Sequence, residues 1–248
     1  SLSQWHERWA FCGASAAVMH GLDCSYRQLH PIHVAVGRNS RPRNQRYVRF
    51  HVLDDAETVA VDGARVTSIL RTLVDCAAMM PRRYAMAPID SALRQGKTTV
   101  EQMLEYVDAI PMLRDRERIR AVLAQGDGRV ENGGESECRA VLDELGFPVH
   151  RVQVEFPCLS HPGRVHRVDF LWERDDGTLI AGEFDGVQKY VDPLMTAGWT
   201  IRQVVDDERD RQQCLSRRGV DMVRMFYRDL DNAQVLAYRL EQARVPRR

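Results

Sequence analysis

Two apolar segments joined by a tight turn constrain the fold of this chain more than any other feature. Residues 165–172 and 178–184 have the apolar patterns of β-strands, and Asp176-Gly177 between them is typical of a hairpin turn. Each strand nevertheless carries a carboxylate, Asp169 in the first and Glu183 in the second. A charge in a buried strand is costly unless another charge neutralises it. The hairpin therefore predicts a sheet with an ionic centre inside it.

The segments around this hairpin alternate between helical and strand patterns. A predicted helix over 135–145 and a strand over 149–156 precede it, and a helix over 205–217, a strand over 221–226 and a helix over 232–243 follow it. The order α-β-β-β-α-β-α predicts an α/β domain with helices covering a central mixed sheet. The chain as a whole is then α+β.

The first half of the chain has the pattern of a smaller mixed region followed by helices. We predict a helix over 5–20, strands over 33–36, 47–52 and 58–61, and four helices between 67 and 124. Thr99 with Gln102 predicts a capping box at the start of the third of these helices. The glycines at 126, 128, 133 and 134 predict a linker. The predicted domains are 1–78, a mixed region, 79–127, a helical connector, and 128–248, the α/β domain.

Composition places the chain among ordinary globular proteins. It has 248 residues, 44% hydrophobic and 28% charged, and no apolar run long enough to cross a bilayer. No basic-then-apolar leader opens it, so we expect a cytoplasmic protein without a membrane partner. The six cysteines are scattered without a CxxC pair, which predicts inert thiols rather than a structural zinc site. His30 and His33 are interpreted as loop histidines.

Positive charge is concentrated in arginine, because only Lys97 and Lys189 are lysines among 35 basic residues. The formal net charge is zero, so bulk charge gives no support to nucleic-acid binding. The residues predicted to contact DNA phosphates are Arg38, Arg41, Arg43 and Arg46 in one loop, and Arg209 and Arg211 on the helix over 205–217. Ion pairs with the acids at 206–208 are the alternative explanation for the helix arginines.

The acids of the hairpin point to a divalent cation. Carboxylate oxygens are hard ligands that suit Mg²⁺ or Mn²⁺, and a cation relieves the repulsion between Asp169 and Glu183. Asp185 has the same strand parity as Glu183 and should project from the same face. Glu135, at the start of the preceding helix, is a further candidate ligand, although an acid there is also explained by the helix dipole.

These residues also resemble a known nuclease family. Residues 182–190, GEFDGVQKY, are similar to the ExDGxxKY signature of the DUF559-type branch of the PD-(D/E)xK superfamily, which is related to very-short-patch-repair endonucleases. Asp169 matches the family's aspartate, and Glu135 its glutamate at a helix start. The resemblance implies a restriction-endonuclease-like fold and a metal-dependent DNA endonuclease. Its catalytic residues would be Asp169, Glu183, Lys189, Glu135 and Asp185, of which Asp169, Glu183 and Glu135 would bind Mg²⁺ or Mn²⁺.

The chain departs from the superfamily's pattern at one position. The pattern has a lysine two positions after the glutamate, where this chain has Asp185. Lys189 is the natural substitute, as a general-base or charge-stabilising group, and a solvated loop lysine is the alternative.

Two upstream segments, residues 14–23 and 66–77, resemble AbiEi-like antitoxins and imply a toxin–antitoxin or phage-defence context. The alternatives to an endonuclease are a non-catalytic DNA-binding regulator and a defence component that needs a partner. The regulator is disfavoured because the winged helix usual in such antitoxins lies upstream of the matched segment, and few residues precede Ala14. We expect DNA as a partner, and either a homodimer or a cognate protein partner.

Overall fold

The computed structural model of the protein describes residues 9–40, 43–53, 56–159, 161–185 and 201–248, with side chains in the last range from residue 209 onward. The chain divides into two compact units, Ser1–Glu137 and Cys138–Arg248. The mixed α/β architecture predicted from the sequence is confirmed. The three-part division at residues 78 and 127 stays a prediction. Among the described residues, no helix has the length and apolar character that crossing a membrane requires.

A five-stranded mixed sheet forms the first part of the N-terminal unit. Its elements are β1 (Ala10–Phe11), α1 (Gly13–Met19), β2 (Ile32–Val36), β3 (Val48–Val52), β4 (Thr58–Val61) and β5 (Ala64–Thr67). The strand order is β3-β2-β1-β5-β4, in which β1 pairs parallel with β5 and β2 parallel with β3. The predicted helix over 5–20 is wrong at residues 10 and 11, because Ala10 and Phe11 pair antiparallel with Ala35 and Val34. Tertiary pairing here overrides the local helical spacing.

Among the described residues, four helices follow this sheet before residue 125, as predicted. They are α2 (Ile69–Met79), α3 (Arg82–Arg94), α4 (Val100–Ala109) and α5 (Arg116–Leu123). The capping box of α4 is confirmed, since the Thr99 side chain accepts from the backbone of Gln102 and the Gln102 side chain accepts from the backbone of Thr99. The sequence-based assignment missed β5, whose last residue, Thr67, was included in the helical pattern of α2.

The predicted glycine linker is packed against α3 at Gly126. A Cβ added at Gly126 would lie 2.6 Å from Leu93 Cδ1 and 2.8 Å from Ile89 Cγ2. The backbone N–H of Asp127 donates to Asp90 Oδ1 over 2.8 Å, so the turn is also tied to the helix by hydrogen bonding. Gly126 therefore serves close approach to α3, and the assignment of these glycines to a linker between domains stays a prediction.

The C-terminal unit is built on a four-stranded sheet. Its elements are α6 (Gly133–Glu144), which begins in the other unit, β6 (Arg151–Pro157), β7 (Val165–Glu173), β8 (Leu179–Asp185), α7 (Ile201–Arg217), β9 (Val220–Phe226), α8 (Tyr227–Leu230) and α9 (Ala233–Gln242). The strand order is β6-β7-β8-β9, antiparallel except for the parallel pair β8–β9. The predicted order of elements is confirmed, with the short α8 in addition.

Strand β8 is one of the two inner strands of this sheet and the most enclosed of its four. Its residues from Ile180 to Asp185 are all buried. The backbone at Gly182 passes against the indole of Trp172, and an added Cβ would lie 2.6 Å from Trp172 Cζ3. This close approach fixes the spacing of β7 and β8 immediately before Glu183.

Candidate functional site

The two acids of the hairpin meet where β7 and β8 stop pairing. Their register runs from Glu173 opposite Leu179 to Phe170 opposite Gly182. One further step places Asp169 opposite Glu183, and opposite residues of an antiparallel pair project from the same face. Asp169 Oδ2 accepts a hydrogen bond from the backbone N–H of Phe184 over 2.9 Å. The carboxylate of Asp169 thus takes the place of a strand partner beside Glu183.

The backbone is also strained next to Asp169 on its other side. The register of β6 and β7 passes from Val152 opposite Phe170 to Val154 opposite Val168, leaving out Gln153 and Asp169. Gln153 has a φ of 52°, a left-handed conformation that costs a residue with a side chain about 1–2 kcal/mol. Such strain persists where the surroundings enforce it and is concentrated at functional sites. The regular strand register is therefore interrupted on both sides of Asp169.

An arginine, and not only a metal, can neutralise this centre. Glu183 is 5% exposed and forms an ion pair with Arg211, which reaches it from α7. Arg211 Nη2 also donates to the carbonyl oxygen of Arg167 over 2.5 Å, which orients the guanidinium. The structure thus places Arg211 against a buried acid, and its role in DNA binding stays a prediction.

Asp185 lies two residues further along β8 and is also buried. Its Oδ2 atom is 3.9 Å from Arg224 Nη1, and Arg224 stands opposite Glu183 in the parallel register with β9. Asp185 therefore has a nearby positive charge of its own. Lys189, the predicted substitute for the superfamily lysine, lies outside the described residues.

Glu135 begins α6 and belongs to the N-terminal unit. Its two carboxylate oxygens accept hydrogen bonds from the backbone N–H of Glu131 at 3.0 Å and from Asn132 Nδ2 at 2.6 Å. Asn132 Oδ1 in turn accepts from the backbone N–H of Glu135 over 3.1 Å, as a helix cap does. These contacts agree with the alternative of an acid that stabilises a helix start, and its role as a metal ligand stays a prediction.

The arginine loop between β2 and β3 is exposed to solvent where the structure describes it. Arg38, Arg43 and Arg46 are exposed, and Arg41 lies outside the described residues. The guanidinium of Arg46 lies 5.1 Å from the ring centroid of Tyr47, which is itself 59% exposed. Arg209, on α7, is exposed as well. An exposed arginine beside an exposed aromatic ring is suited to phosphates and bases.

His33 lies in strand β2, so its interpretation as a loop histidine is wrong. Its ring stacks on that of His51, with His33 Nδ1 2.9 Å from His51 Nε2. Burial, together with the positive charges of His33 and Arg49, lowers the pKa of His51 to about 4. His51 therefore stays neutral near neutral pH, and the hydrogen bond satisfies one nitrogen of each ring.

A second polar cluster lies in the C-terminal unit and was missed in the sequence. Ligand atoms of Cys158, His166 and Cys214 all lie within 4.8 Å of one another. The two sulfurs are 3.4 Å apart, and His161 Nδ1 is 3.8 Å from Cys158 Sγ. The description of these cysteines as scattered holds only along the chain. The available signal was the C-x₂-H-x₄-H spacing from Cys158 to His166.

The comparisons with known proteins concern mainly the N-terminal unit. Residues 9–125 match the family model of the AbiEi antitoxin C-terminal domain. This segment is AbiEi-like. The AbiEi-like segment, residues 9–125, contains the five-stranded sheet and helices α1 to α5. The resemblance seen in two short upstream segments thus extends across the unit.

Two uncharacterized proteins of Mycobacterium tuberculosis are also similar to the chain, one from strain CDC 1551 / Oshkosh and one from strain ATCC 25618 / H37Rv. Each is 29% identical over 217 residues, which cover 81% of this chain and 76% of the relative. The similarity is therefore longer than the AbiEi-like segment and reaches into the C-terminal unit.

Proposed function

We propose that this protein is a DNA-binding component of a toxin–antitoxin or phage-defence system. The observation that carries the proposal is the match of residues 9–125 to the C-terminal domain of AbiEi antitoxins. The exposed arginines Arg43 and Arg46 supply a surface for phosphates within this segment. We infer that this surface binds duplex DNA and that the protein acts as a regulator.

The test is the salt dependence of DNA binding, measured by fluorescence anisotropy without divalent metal. Each phosphate contact contributes about 0.9 to the slope of log K against log salt, so the double variant Arg43→Gln/Arg46→Gln should lose about 2. Arg151→Gln, which removes an exposed arginine of the C-terminal unit, is the control and should leave the slope unchanged. A slope that is the same in both variants and the wild type would reject the AbiEi-like segment as the DNA-binding surface.

A second candidate function is hydrolysis of DNA phosphodiester bonds by the C-terminal unit. The apposition of Asp169 and Glu183 where the strand register is interrupted favours it. The resemblance to the DUF559-type branch of the PD-(D/E)xK superfamily supports the same two residues as the catalytic acids. In this proposal the regulator and the nuclease occupy different units, so the two functions are independently testable.

The ligand atoms of the two acids are of the type that a hard divalent cation prefers. Asp169 and Glu183 would hold Mg²⁺ or Mn²⁺, because carboxylate oxygens are the ligands that these ions prefer. When bound, such an ion polarises a phosphodiester oxygen and lowers the pKa of a bound water. The backbone N–H of Phe184 holds one oxygen of Asp169 in place. Arg211 competes with a cation for Glu183, and we propose that Lys189 orients the attacking water.

Cleavage of supercoiled plasmid across a Mg²⁺ titration tests this candidate. Asp169→Asn and Glu183→Gln should each lower the rate by about 100-fold or more, the scale of losing one transition-state-stabilising group. Asp221→Asn is a matched control, because Asp221 is an acid on neighbouring β9 whose side chain is 62% exposed. Equal residual cleavage by all four proteins would identify a contaminating nuclease and exclude this centre as catalytic.

A further inference from the structure

Two thiols and the imidazole of His166 converge where the β6–β7 hairpin meets α7, and His161 Nδ1 lies 3.8 Å from Cys158 Sγ. Cys158 follows β6, His161 lies in the hairpin loop, His166 belongs to β7 and Cys214 to α7. We infer that Cys158, His166, Cys214 and His161 form a site for one zinc ion, independent of the DNA-directed functions proposed above. Soft thiolates with imidazoles favour Zn²⁺ and disfavour Mg²⁺.

Two of the distances among these atoms lie near those of a tetrahedral zinc site. With Zn–S near 2.3 Å and Zn–N near 2.0–2.1 Å, neighbouring ligand atoms should be roughly 3.3–3.8 Å apart. The distance between Cys158 Sγ and Cys214 Sγ is 3.4 Å, and that between Cys158 Sγ and His161 Nδ1 is 3.8 Å. His166 offers a ring nitrogen within 4.8 Å of both sulfurs. Small side-chain rotations would therefore complete the site.

His166 supplies the independent observation that points to a ligand. His166 is 4% exposed, and its Nε2 atom is buried without a hydrogen-bond partner among the described residues. Buried polar atoms are normally bonded, because leaving one unsatisfied has a free-energy cost of about 1–3 kcal/mol. A metal bound by this nitrogen removes that penalty.

Cys214 is already placed as a thiolate ligand would be. The backbone N–H of Leu159 donates to Cys214 Sγ over 3.1 Å. Such an outer hydrogen bond orients a metal ligand. The cavity beside these residues is about 210 Å³ and is also lined by Arg164 and Arg217. The carboxylate of Asp210 lines the cavity as well.

The fold holds the four residues together from chain segments that are far apart. The hairpin is closed by the backbone N–H of Cys158, which donates to the Arg164 carbonyl oxygen over 2.7 Å. On α7, Leu215 packs into the core with Phe156 and Val168 and so sets the position of its neighbour Cys214. Zinc would join positions 56 residues apart and fix α7, the helix that carries Arg211, to the hairpin.

The experiment is a Co²⁺ titration of the reduced, metal-free, full-length protein, followed by displacement with Zn²⁺. We expect one Co²⁺ per chain, tetrahedral ligand-field bands, a thiolate-to-cobalt charge-transfer band, and loss of all three signals on adding Zn²⁺. Cys214→Ser and His166→Gln should weaken binding by roughly 100-fold or more, since even outer-sphere partners of a metal contribute about 10- to 100-fold. Cys24→Ser, a half-buried thiol of the N-terminal unit, is the matched control and should bind normally.

A second measurement keeps the inference testable if these variants do not fold. In the wild-type protein, Zn²⁺ should protect Cys158 and Cys214 from alkylation, read by mass spectrometry, and should leave Cys24 as reactive as before. Three results would overturn the site: a folded, reduced protein that takes up no Co²⁺, uptake without the thiolate band, or protection of Cys24 equal to that of Cys158 and Cys214. His161→Asn should weaken binding while keeping the charge-transfer band, and unchanged affinity would remove His161 from the ligand set.

Discussion

Strand β7 contributes one residue to each of two polar clusters, Asp169 to the acid pair and His166 to the thiol–imidazole cluster. The two clusters differ in whether the protein itself supplies partners for their buried polar atoms. Asp169 accepts a hydrogen bond from a backbone N–H, and Glu183 opposite it forms an ion pair with the guanidinium of Arg211. At His166, by contrast, a buried ring nitrogen is left without a hydrogen-bond partner among the described residues. The acid pair thus has a cation supplied by the protein, whereas the thiol–imidazole cluster would be satisfied by a bound metal ion. Stability should therefore depend strongly on zinc and weakly on magnesium.

The largest expected effect is the response to zinc. At a free Zn²⁺ concentration 1,000 times the dissociation constant, a site present only in the folded state adds about 4 kcal/mol to the free energy of unfolding. Chemical denaturation followed by circular dichroism should show this gain, and 1,10-phenanthroline should remove it. Mg²⁺ at millimolar concentration is the control and should have little effect. Equal responses to the two ions would end the distinction between the clusters.

The next effect concerns the arginine that neutralises Glu183. Arg211→Gln leaves a buried carboxylate without its ion pair, and we expect a loss of about 2–3 kcal/mol, less than for a fully enclosed pair because the Arg211 side chain is 23% exposed. Mg²⁺ should restore part of this loss, since it can take the vacated place. Urea denaturation with and without Mg²⁺ measures both quantities. Arg209→Gln on the same helix should change neither, and a variant indifferent to Mg²⁺ would argue against the acids as a metal site.

A smaller effect is expected from a glycine that packs against Trp172. Gly182→Ala brings a Cβ to 2.6 Å from Trp172 Cζ3 and should destabilise the C-terminal unit by about 1–3 kcal/mol. Zinc binding should persist, because the four ligands lie on other elements. Gly37→Ala is the control, with no atom within 4 Å of its added Cβ. A loss of Co²⁺ binding in Gly182→Ala would mean that the two clusters are not separate.

A further effect, confined to acidic pH, involves the two imidazoles that share a hydrogen bond. The pKa of His51 is lowered to about 4, so the unfolded chain binds a proton at higher pH than the folded one. The stability contribution is present above pH 6.5 and is lost as pH falls from 6.5 towards about 4. The contribution of His51 is measured by comparing the free energy of unfolding of the wild type and His51→Gln as a function of pH. The variant should lose less stability over that range. Parallel curves would contradict the role assigned to the His33–His51 pair.

Much of the local structure could be predicted from the amino-acid sequence, because it depends on interactions between residues that are close together along the chain. The capping box needs only Thr99 and Gln102, and the hairpin needs only alternating apolar residues around Asp176-Gly177. The order of elements in the C-terminal unit followed from such patterns, and so did the placing of Asp169 and Glu183 in adjacent strands. The roles of Glu135 and Lys189 stay predictions.

Tertiary structure decided what depends on segments that are distant along the chain. Ala10 and Phe11 became a strand because Ala35 and Val34 were available to pair, and Gly126 became a packed turn because α3 lies against it. The partner of Glu183 comes from α7, and the two thiols of the proposed zinc site are 56 residues apart. Periodicity reports which face of an element is apolar; it does not report which polar side chains meet once those faces are buried.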